Sequence, residues 1–300
     1  MQKIIPNIWC NRNAEEAGKY YAATFQNTTC AIEARYPTTG LLEFQQEFAG
    51  EPLTVSVSIS GYRLSLINAG SEFRPTPALS FMLNFDPLAF DGDEELARKS
   101  LDRLWGRLAD AGQVLLELGE YPFSRHYGWV QDRYGVSWQL ILTDPAGDPR
   151  PFIVPCLQFG AAEGEGAEAA VDHYLSVFED AELGTRVFSP NLEGEATADV
   201  VGFSDFRVGE QWFAAMDSPA AQQAEFTCGV SLEVLCVDQA EIDRLWDALS
   251  AVPEAEQCGW LADRFGVSWQ IVPRDMGELM ERPGAFEHML EMKKLVIADF

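Results

Sequence analysis

The sequence predicts an α+β protein of two tandem domains. Each domain is built from two βαβββ units forming a curved mixed sheet with helices on the outer face. Three observations predict it. The chain has 300 residues, enough for about two domains of roughly 150 residues each. Asp132-Arg133-Tyr134-Gly135-Val136-Ser137-Trp138-Gln139-Leu140 recurs as Asp263-Arg264-Phe265-Gly266-Val267-Ser268-Trp269-Gln270-Ile271. Further matches precede it in the same order: Ile5-Pro6-x-Ile8 with Val154-Pro155-x-Leu157, Leu101-Asp102-Arg103-Leu104-Trp105 with Ile242-Asp243-Arg244-Leu245-Trp246, and Gly128-Trp129 with Gly259-Trp260. Self-similarity of this extent marks a duplication. The copies are expected at 1–146 and 151–300, joined by Asp144–Pro151, where three prolines block regular pairing.

The elements follow from local pattern. Lys3–Cys10 is a short apolar run, read as a strand. Asn13 is placed to cap a helix through Gln26, since its side-chain oxygen accepts orphan N–H groups. Ala17, Tyr20, Tyr21 and Thr24 share one face of that helix. Leu53, Val55, Val57 and Ile59 alternate with Thr54, Ser56, Ser58 and Ser60, which gives a strand with one apolar and one hydroxyl face. The hydroxyl face reads equally as a cleft wall or as an ordinary solvated face. Gly61-Tyr62 turns into a strand over Arg63–Asn68, and Ala78–Phe85 opens the second unit. Leu101, Leu104, Trp105 and Leu108 have helical spacing, repeated by Ile242, Leu245, Trp246 and Leu249. Val136–Leu142 and Val267–Val272 close the two sheets. Gly160–Gly166 reads as a loop insertion, because Glu163 and Glu165 would repel phosphate.

Composition excludes several function classes. A formal net charge of −26 repels nucleic-acid phosphates and anionic membrane surfaces. No apolar run reaches the roughly 18 residues of a membrane span. Met1–Pro6 lacks the apolar stretch of a signal peptide, so a soluble cytoplasmic protein is expected. The six cysteines form no C-x-x-C pair and read as buried reduced thiols. No Gly-x-Gly-x-x-Gly, Walker or Gly-x-Ser-x-Gly motif is present, so neither a nucleotide cofactor nor a nucleophilic triad is indicated.

Pro6, Ala14-Glu15-Glu16-Ala17 followed by Tyr20-Tyr21, Ala78-Leu79-Ser80-Phe81 and the Asp132–Gln139 motif resemble the PhnB-like branch of the vicinal-oxygen-chelate (glyoxalase/bleomycin-resistance/dioxygenase) superfamily. That branch often carries the label 3-demethylubiquinone-9 3-methyltransferase. Met289–Ala298 is similar to its usual C-terminus. The resemblance covers nearly the whole chain, twice. It implies about four inward strand positions that hold His, Gln or Glu in metal-dependent members. Here the first falls near Pro6 and Pro155, which have no donor atom. Gln139 and Gln270 stand where the last strand would carry glutamate. Leu66-Ile67-Asn68 and Ala78-Leu79-Ser80 supply neither carboxylate nor imidazole. A catalytic divalent site needs about three protein ligands, so no metal and no cofactor are expected. The methyltransferase label lacks its glycine-rich strand-to-helix turn as well.

What remains is a face rich in tryptophans and amides, suited to a flat or apolar small molecule. Trp138 and Gln139 must point to opposite faces, as must Trp269 and Gln270. Trp9 corresponds to Gln158, so the two clefts differ chemically. The ligand-binding candidates are Trp9, Ser80, His126, Gln139, Gln158, Ser231 and Gln270; no catalytic residue is assigned. His126, just before a strand, reads either as an acid/base group at a cleft mouth or as a solvated loop histidine. His173 and His288 read as surface residues. Arg133 and Arg264 either anchor an anion or pair with Asp132, Asp263 or a neighbouring carboxylate.

The resulting reading is a metal-free small-molecule binding protein with an aromatic-lined cleft. One alternative is a divalent-metal-dependent lyase, isomerase or dioxygenase using Gln139, Gln158, Glu233 or Gln270 as atypical ligands. Another is a structural or regulatory module with vestigial clefts, motivated by Leu279, Met280, Phe286, Met289 and Leu290 in the tail. Those residues would pack on a sister domain or a second chain, leaving a monomer with paired domains or a homodimer.

Overall fold

The structure, a computed structural model, describes residues 2–160, 166–190, 196–217 and 225–300. The first repeat runs β1 (Ile4–Cys10), α1 (Ala14–Thr24), β2 (Thr28–Arg35), β3 (Pro52–Ile59), β4 (Tyr62–Asn68), β5 (Leu79–Phe85), α2 (Glu94–Leu108), β6 (Gln113–Tyr121), β7 (Ser124–Gln131) and β8 (Ser137–Leu142). The second runs β9 (Ile153–Phe159), α3 (Ala167–Val177), β10 (Ala181–Pro190), β11 (Ala196–Val208), β12 (Gln211–Asp217), β13 (Val230–Cys236), α4 (Gln239–Leu249), β14 (Trp260–Ala262) and β15 (Ser268–Pro273). Two short helices, α5 (Met276–Leu279) and α6 (Ala285–Glu291), follow. In the loop insertion expected at Gly160–Gly166, residues 161–165 lie outside the described residues. Among the described residues no helix is long and apolar enough to cross a membrane.

The strands form two mixed sheets, and the fold is α+β as expected. Each sheet takes one unit from each repeat; three of the four units are βαβββ, and the last, β13-α4-β14-β15, has one strand fewer than expected. Unit 1 contains the chain up to Ala22, Thr28–Arg74 and Phe226–Phe300, with strand order β14-β15-β13-β1-β4-β3-β2. Unit 2 contains Ala23–Asn27 and Pro75–Glu225, with order β10-β11-β12-β9-β5-β8-β7-β6. Both repeats, 1–146 and 151–300, are thus divided between the units. The joint in unit 1 is the antiparallel pair β1–β13, with Asn7 opposite Ser231 and Ile5 opposite Glu233. The joint in unit 2 is β5–β9, with Ser80 opposite Cys156 and Met82 opposite Val154.

One face of each sheet is covered by helices. In unit 1, Val55 and Val57 turn towards α1, where Gly18 leaves room: a Cβ there would sit 3.0 Å from Val55 Cγ1. In unit 2, α2 buries Ala97, Leu101, Leu104 and Leu108, the stripe expected from spacing. The repeated Gly-Trp has a packing reason in this unit, since a Cβ at Gly128 would meet the Trp105 ring at 2.6 Å. Asp93 and Asp238 cap α2 and α4 through Leu96 N and Glu241 N, each at 2.9 Å. The expected Asn13 cap is replaced by a tertiary one: Asn68 Oδ1 on β4 accepts from Ala14 N at 3.0 Å. Asp217 Oδ1 on β12 does the same for Ala167 N of α3, at 2.8 Å. Both meet the helix N-terminus, where orphan donors and the dipole favour an oxygen.

The repeated motif owes its form to a buried aspartate. Asp132 Oδ1 accepts from Tyr134 N (2.8 Å) and Val136 N (3.1 Å), while Oδ2 accepts from Trp138 Nε1 (2.8 Å). Asp263 repeats the pattern with Phe265 N (2.9 Å), Val267 N (3.0 Å) and Trp269 Nε1 (2.8 Å). Gly135 and Gly266 adopt φ of 84° at the turn, a region open to glycine. The carboxylate therefore closes the turn and aims the indole in one stroke. Trp138 is fully buried beneath the helices, 5.1 Å from Phe81 and 5.0 Å from Phe25 between ring centroids.

The tail packs on unit 1. Leu279, Ala285, Leu295 and Phe300 cluster with Val272, joined by Leu235, Met276, Met280 and Met289.

Asp132→Ala removes three charge-assisted bonds in a dry site and is expected to destabilise unit 2 by about 3 kcal/mol, with Asp132→Asn costing about half as much. Urea denaturation followed by tryptophan fluorescence checks this; equal midpoints for wild type and Asp132→Ala would contradict it.

Candidate functional site

Strand alternation places Gln139 on the face opposite Trp138, away from α2 and α3. On that open face of unit 2, a chain of polar side chains is buried among apolar ones. Tyr127 Oη donates to Gln139 Oε1 at 2.7 Å, and Gln139 Nε2 donates to Ser80 Oγ at 2.7 Å. Ser80 Oγ donates to the Cys156 carbonyl at 3.4 Å, and Gln158 Nε2 reaches Cys156 Sγ at 3.2 Å. Burial pushes the Cys156 thiol up to about 12, against the smaller pull of bonds from Gln139, Ser80 and Gln158. It also raises the Tyr127 phenol, so both groups keep their protons at neutral pH. Gln158 Oε1 is buried and accepts no hydrogen bond from any described residue. Ile141, Phe203, Trp212 and Met216 pack around Met82, Val154, Cys156 and Ala214. The buried Asp205 is matched by Arg150 at 2.7 Å, and Arg150 lies 3.9 Å above the Trp212 ring.

Unit 1 presents the matching face with different chemistry. Gln270 Nε2 donates to Ser231 Oγ at 2.9 Å, as Gln139 does to Ser80. Glu233 is paired with Gln270 as Met82 is with Gln139, so a carboxyl stands where unit 2 has a thioether. Asn7 is opposite Ser231 as Cys156 is opposite Ser80. Asn7 Nδ2 lies 3.4 Å from Glu233 Oε2 and 3.4 Å from Ser65 Oγ, while its buried Oδ1 accepts from no described residue. Trp9 meets Trp260 edge to face at 6.0 Å and Phe73 at 5.0 Å, and its Nε1 donates to Gly70 O at 2.8 Å. Ser56 pairs with Ser65 and Thr54 with Ile67, so the hydroxyl row of β3 continues this face. Burial raises the Glu233 carboxyl above the ordinary range; Asn7 and Arg63 pull it down in part, and Glu33 pushes it further up.

Ser80, Gln139 and Gln158 thus share unit 2, and Trp9, Ser231 and Gln270 share unit 1. His126 joins neither group. It lies within β7, on the helix side, with Nε2 2.6 Å from Asp102 Oδ1 and Nδ1 3.3 Å from Arg98 Nη1. Arg133 reaches the neighbouring carboxylate Asp110. Arg264 Cζ lies 4.6 Å from the Phe265 ring centroid. The first-strand position sought at Pro6 and Pro155 is filled on the open face by Asn7 and Cys156, because the prolines turn to the other side. Tyr127 also escaped the sequence reading, although it sits two residues before Trp129 and so shares its face.

A family model described as 3-demethylubiquinone-9 3-methyltransferase matches residues 2–141 and again 151–272. The chain belongs to this family. It is the PhnB-like branch of the vicinal-oxygen-chelate superfamily. No curated protein matches the chain. Among solved structures, a PhnB protein from Bacillus cereus is 29% identical over 47% of this chain and 100% of its own, with a TM-score of 0.39. A glyoxalase I variant from Zea mays is 11% identical, covers 92% of this chain and 93% of its own, and has a TM-score of 0.52. The latter supports the tandem glyoxalase-like fold.

Metal-dependent members of the superfamily raise the question of a divalent ion, and the donors here do not fit one. Unit 2 offers two amides, two hydroxyls and a protonated thiol. Unit 1 offers one carboxyl beside amides. Among the described residues no three His, Cys, Asp or Glu side chains come together. About three strong ligands are the norm.

A carboxyl whose pKa is raised on folding stabilises the fold where it is protonated, and that contribution is lost as pH rises through the raised value. Glu233→Gln is therefore expected to raise the Tm by about 2–4 °C at neutral pH. The gain should vanish as pH falls below the ordinary glutamate range. Calorimetry across that interval checks it; a gain independent of pH would contradict it.

Proposed function

We propose that the protein is a metal-free small-molecule binder. In this reading its unit 2 takes a neutral, mostly apolar ligand carrying one hydrogen-bond donor, on the face around Cys156 and Gln158. One observation carries the reading: the Gln158 amide oxygen is buried without a hydrogen bond from any described residue. Leaving such an acceptor unpaired costs about 1–3 kcal/mol. A ligand O–H or N–H that reaches it recovers that cost. The remaining polar atoms are already committed to the Tyr127–Gln139–Ser80 chain, which makes them a fixed frame. The surrounding Ile141, Phe203, Trp212 and Met216 favour a flat or apolar body. Asp205 and Arg150 cancel each other, so the face has no net charge from this pair to attract an ion. The family's methyltransferase description and the glyoxalase likeness name chemistries that the frame does not visibly equip.

The test uses phenols and indoles set against their donor-free methylated analogues, in thermal-shift and calorimetric titrations. The donor-bearing probes are expected to bind about tenfold more tightly, the worth of roughly one recovered hydrogen bond. Gln158→Leu is expected to abolish that preference while leaving Tm within a few degrees or higher. No binding by either series, or a preference that survives in Gln158→Leu, contradicts the reading.

A further inference from the structure

We infer that unit 1 carries a second, chemically distinct binding site, which takes an organic amine in its ammonium form on the open face around Glu233 and Asn7. This site lies in a different unit from the neutral one and stands or falls without it.

The duplication supplies the comparison. At matching sheet positions unit 2 has Met82 and Cys156, and unit 1 has Glu233 and Asn7. The polar pair Gln–Ser is kept in both units, so the difference is confined to the residues beside it. An apolar wall has become an acidic one. Asn7 is 3% exposed, and its Oδ1 accepts from no described residue although its Nδ2 contacts Glu233. The Glu233 carboxylate and the unpaired amide oxygen of the neighbouring Asn7 are both acceptors. A primary ammonium brings three N–H donors and a positive charge, so it has a donor for each acceptor and a charge to match the carboxylate. An alcohol can satisfy one, and an anion neither.

The charge balance points the same way. Arg63 on β4 donates to both oxygens of Glu33 on β2, at 2.7 and 2.9 Å, and both residues share the face of Glu233. These three ionisable groups sum to +1 − 2 = −1 when Glu233 is ionised, with Arg63 committed to Glu33. The chain's net charge of −26 raises the local concentration of cations further. The other neighbours select an organic body over a bare metal ion. Trp260 sits opposite Gln270, itself opposite Glu233, and Trp260 packs on Trp9, which packs on Phe73. Aromatic faces attract ammonium groups and apolar substituents alike. A divalent ion would find a single carboxylate.

Isothermal titration calorimetry on the full chain tests the proposal with three probes: benzylammonium chloride, the neutral benzyl alcohol, and calcium chloride. Benzylammonium is expected to bind at least tenfold more tightly than benzyl alcohol. Glu233→Gln, nearly isosteric and confirmed as folded by circular dichroism, is expected to remove that preference. Equal affinity of the wild type for the two benzyl probes overturns the proposal irrespective of any variant. A preference retained in folded Glu233→Gln also overturns it, as does calcium binding at Glu233 with no binding of benzylammonium.

Discussion

A buried carboxylate at a tight turn sets the geometry on which everything else rests. Asp132 and Asp263 each satisfy two backbone N–H groups and one indole N–H in an interior where an unpaired charge would be intolerable. Because the same carboxylate holds the turn and the tryptophan, the register of the following strand has no freedom. A slip of one residue would bury Gln139 among the helices and expose Trp138. The glutamine is therefore presented to the open face by the burial of its neighbour. Stability and site share a single hydrogen-bonded device, used twice.

Duplication gave the device two settings. In each unit the glutamine donates to a serine on the adjacent parallel strand, and that pair is constant. Around it the residues diverge: Met82, Cys156 and Gln158 in unit 2, Glu233, Asn7 and Trp9 in unit 1. Each setting leaves one buried amide oxygen without a hydrogen bond from a described residue, Gln158 Oε1 or Asn7 Oδ1. Buried polar atoms are nearly always paired in folded proteins, so the recurrence at two adjacent strand positions of one face favours a role in holding ligands. Beside the Glu233 carboxyl, the donors named on these two faces are amides, hydroxyls and a thiol.

Much of this was legible in the residues. The repeat, the helical stripe of α2 and α4, the alternation of β3 and the opposite senses of Trp138 and Gln139 all follow from periodicity. Two things were hidden. The first is strand parity near Pro6: an almost uniformly apolar β1 has no alternation to mark its faces, so Asn7 and Cys156 passed unnoticed. The second is which modules share a sheet. Residues 69–78 and 143–152 form connections of equal length, and the modules are alike, so chain order says nothing about whether β5 pairs with β1 or β9. Pairing within a sheet is decided by long-range contacts that no local pattern records. His126 illustrates a third limit, since a polar residue in a mixed run can face helices when Asp102 and Arg98 wait there to bond it.

The central claim is that two faces of one duplicated fold hold uncharged amides ready for ligand donors. Side-chain amide NMR with glutamine and asparagine labelled by nitrogen-15 tests it most directly, during titration with indole. The account predicts shifts in the Gln158 and Gln139 amide resonances while those of Asn7 and Gln270 stay in place. Shifts confined to surface amides, or none at saturating indole, would contradict it.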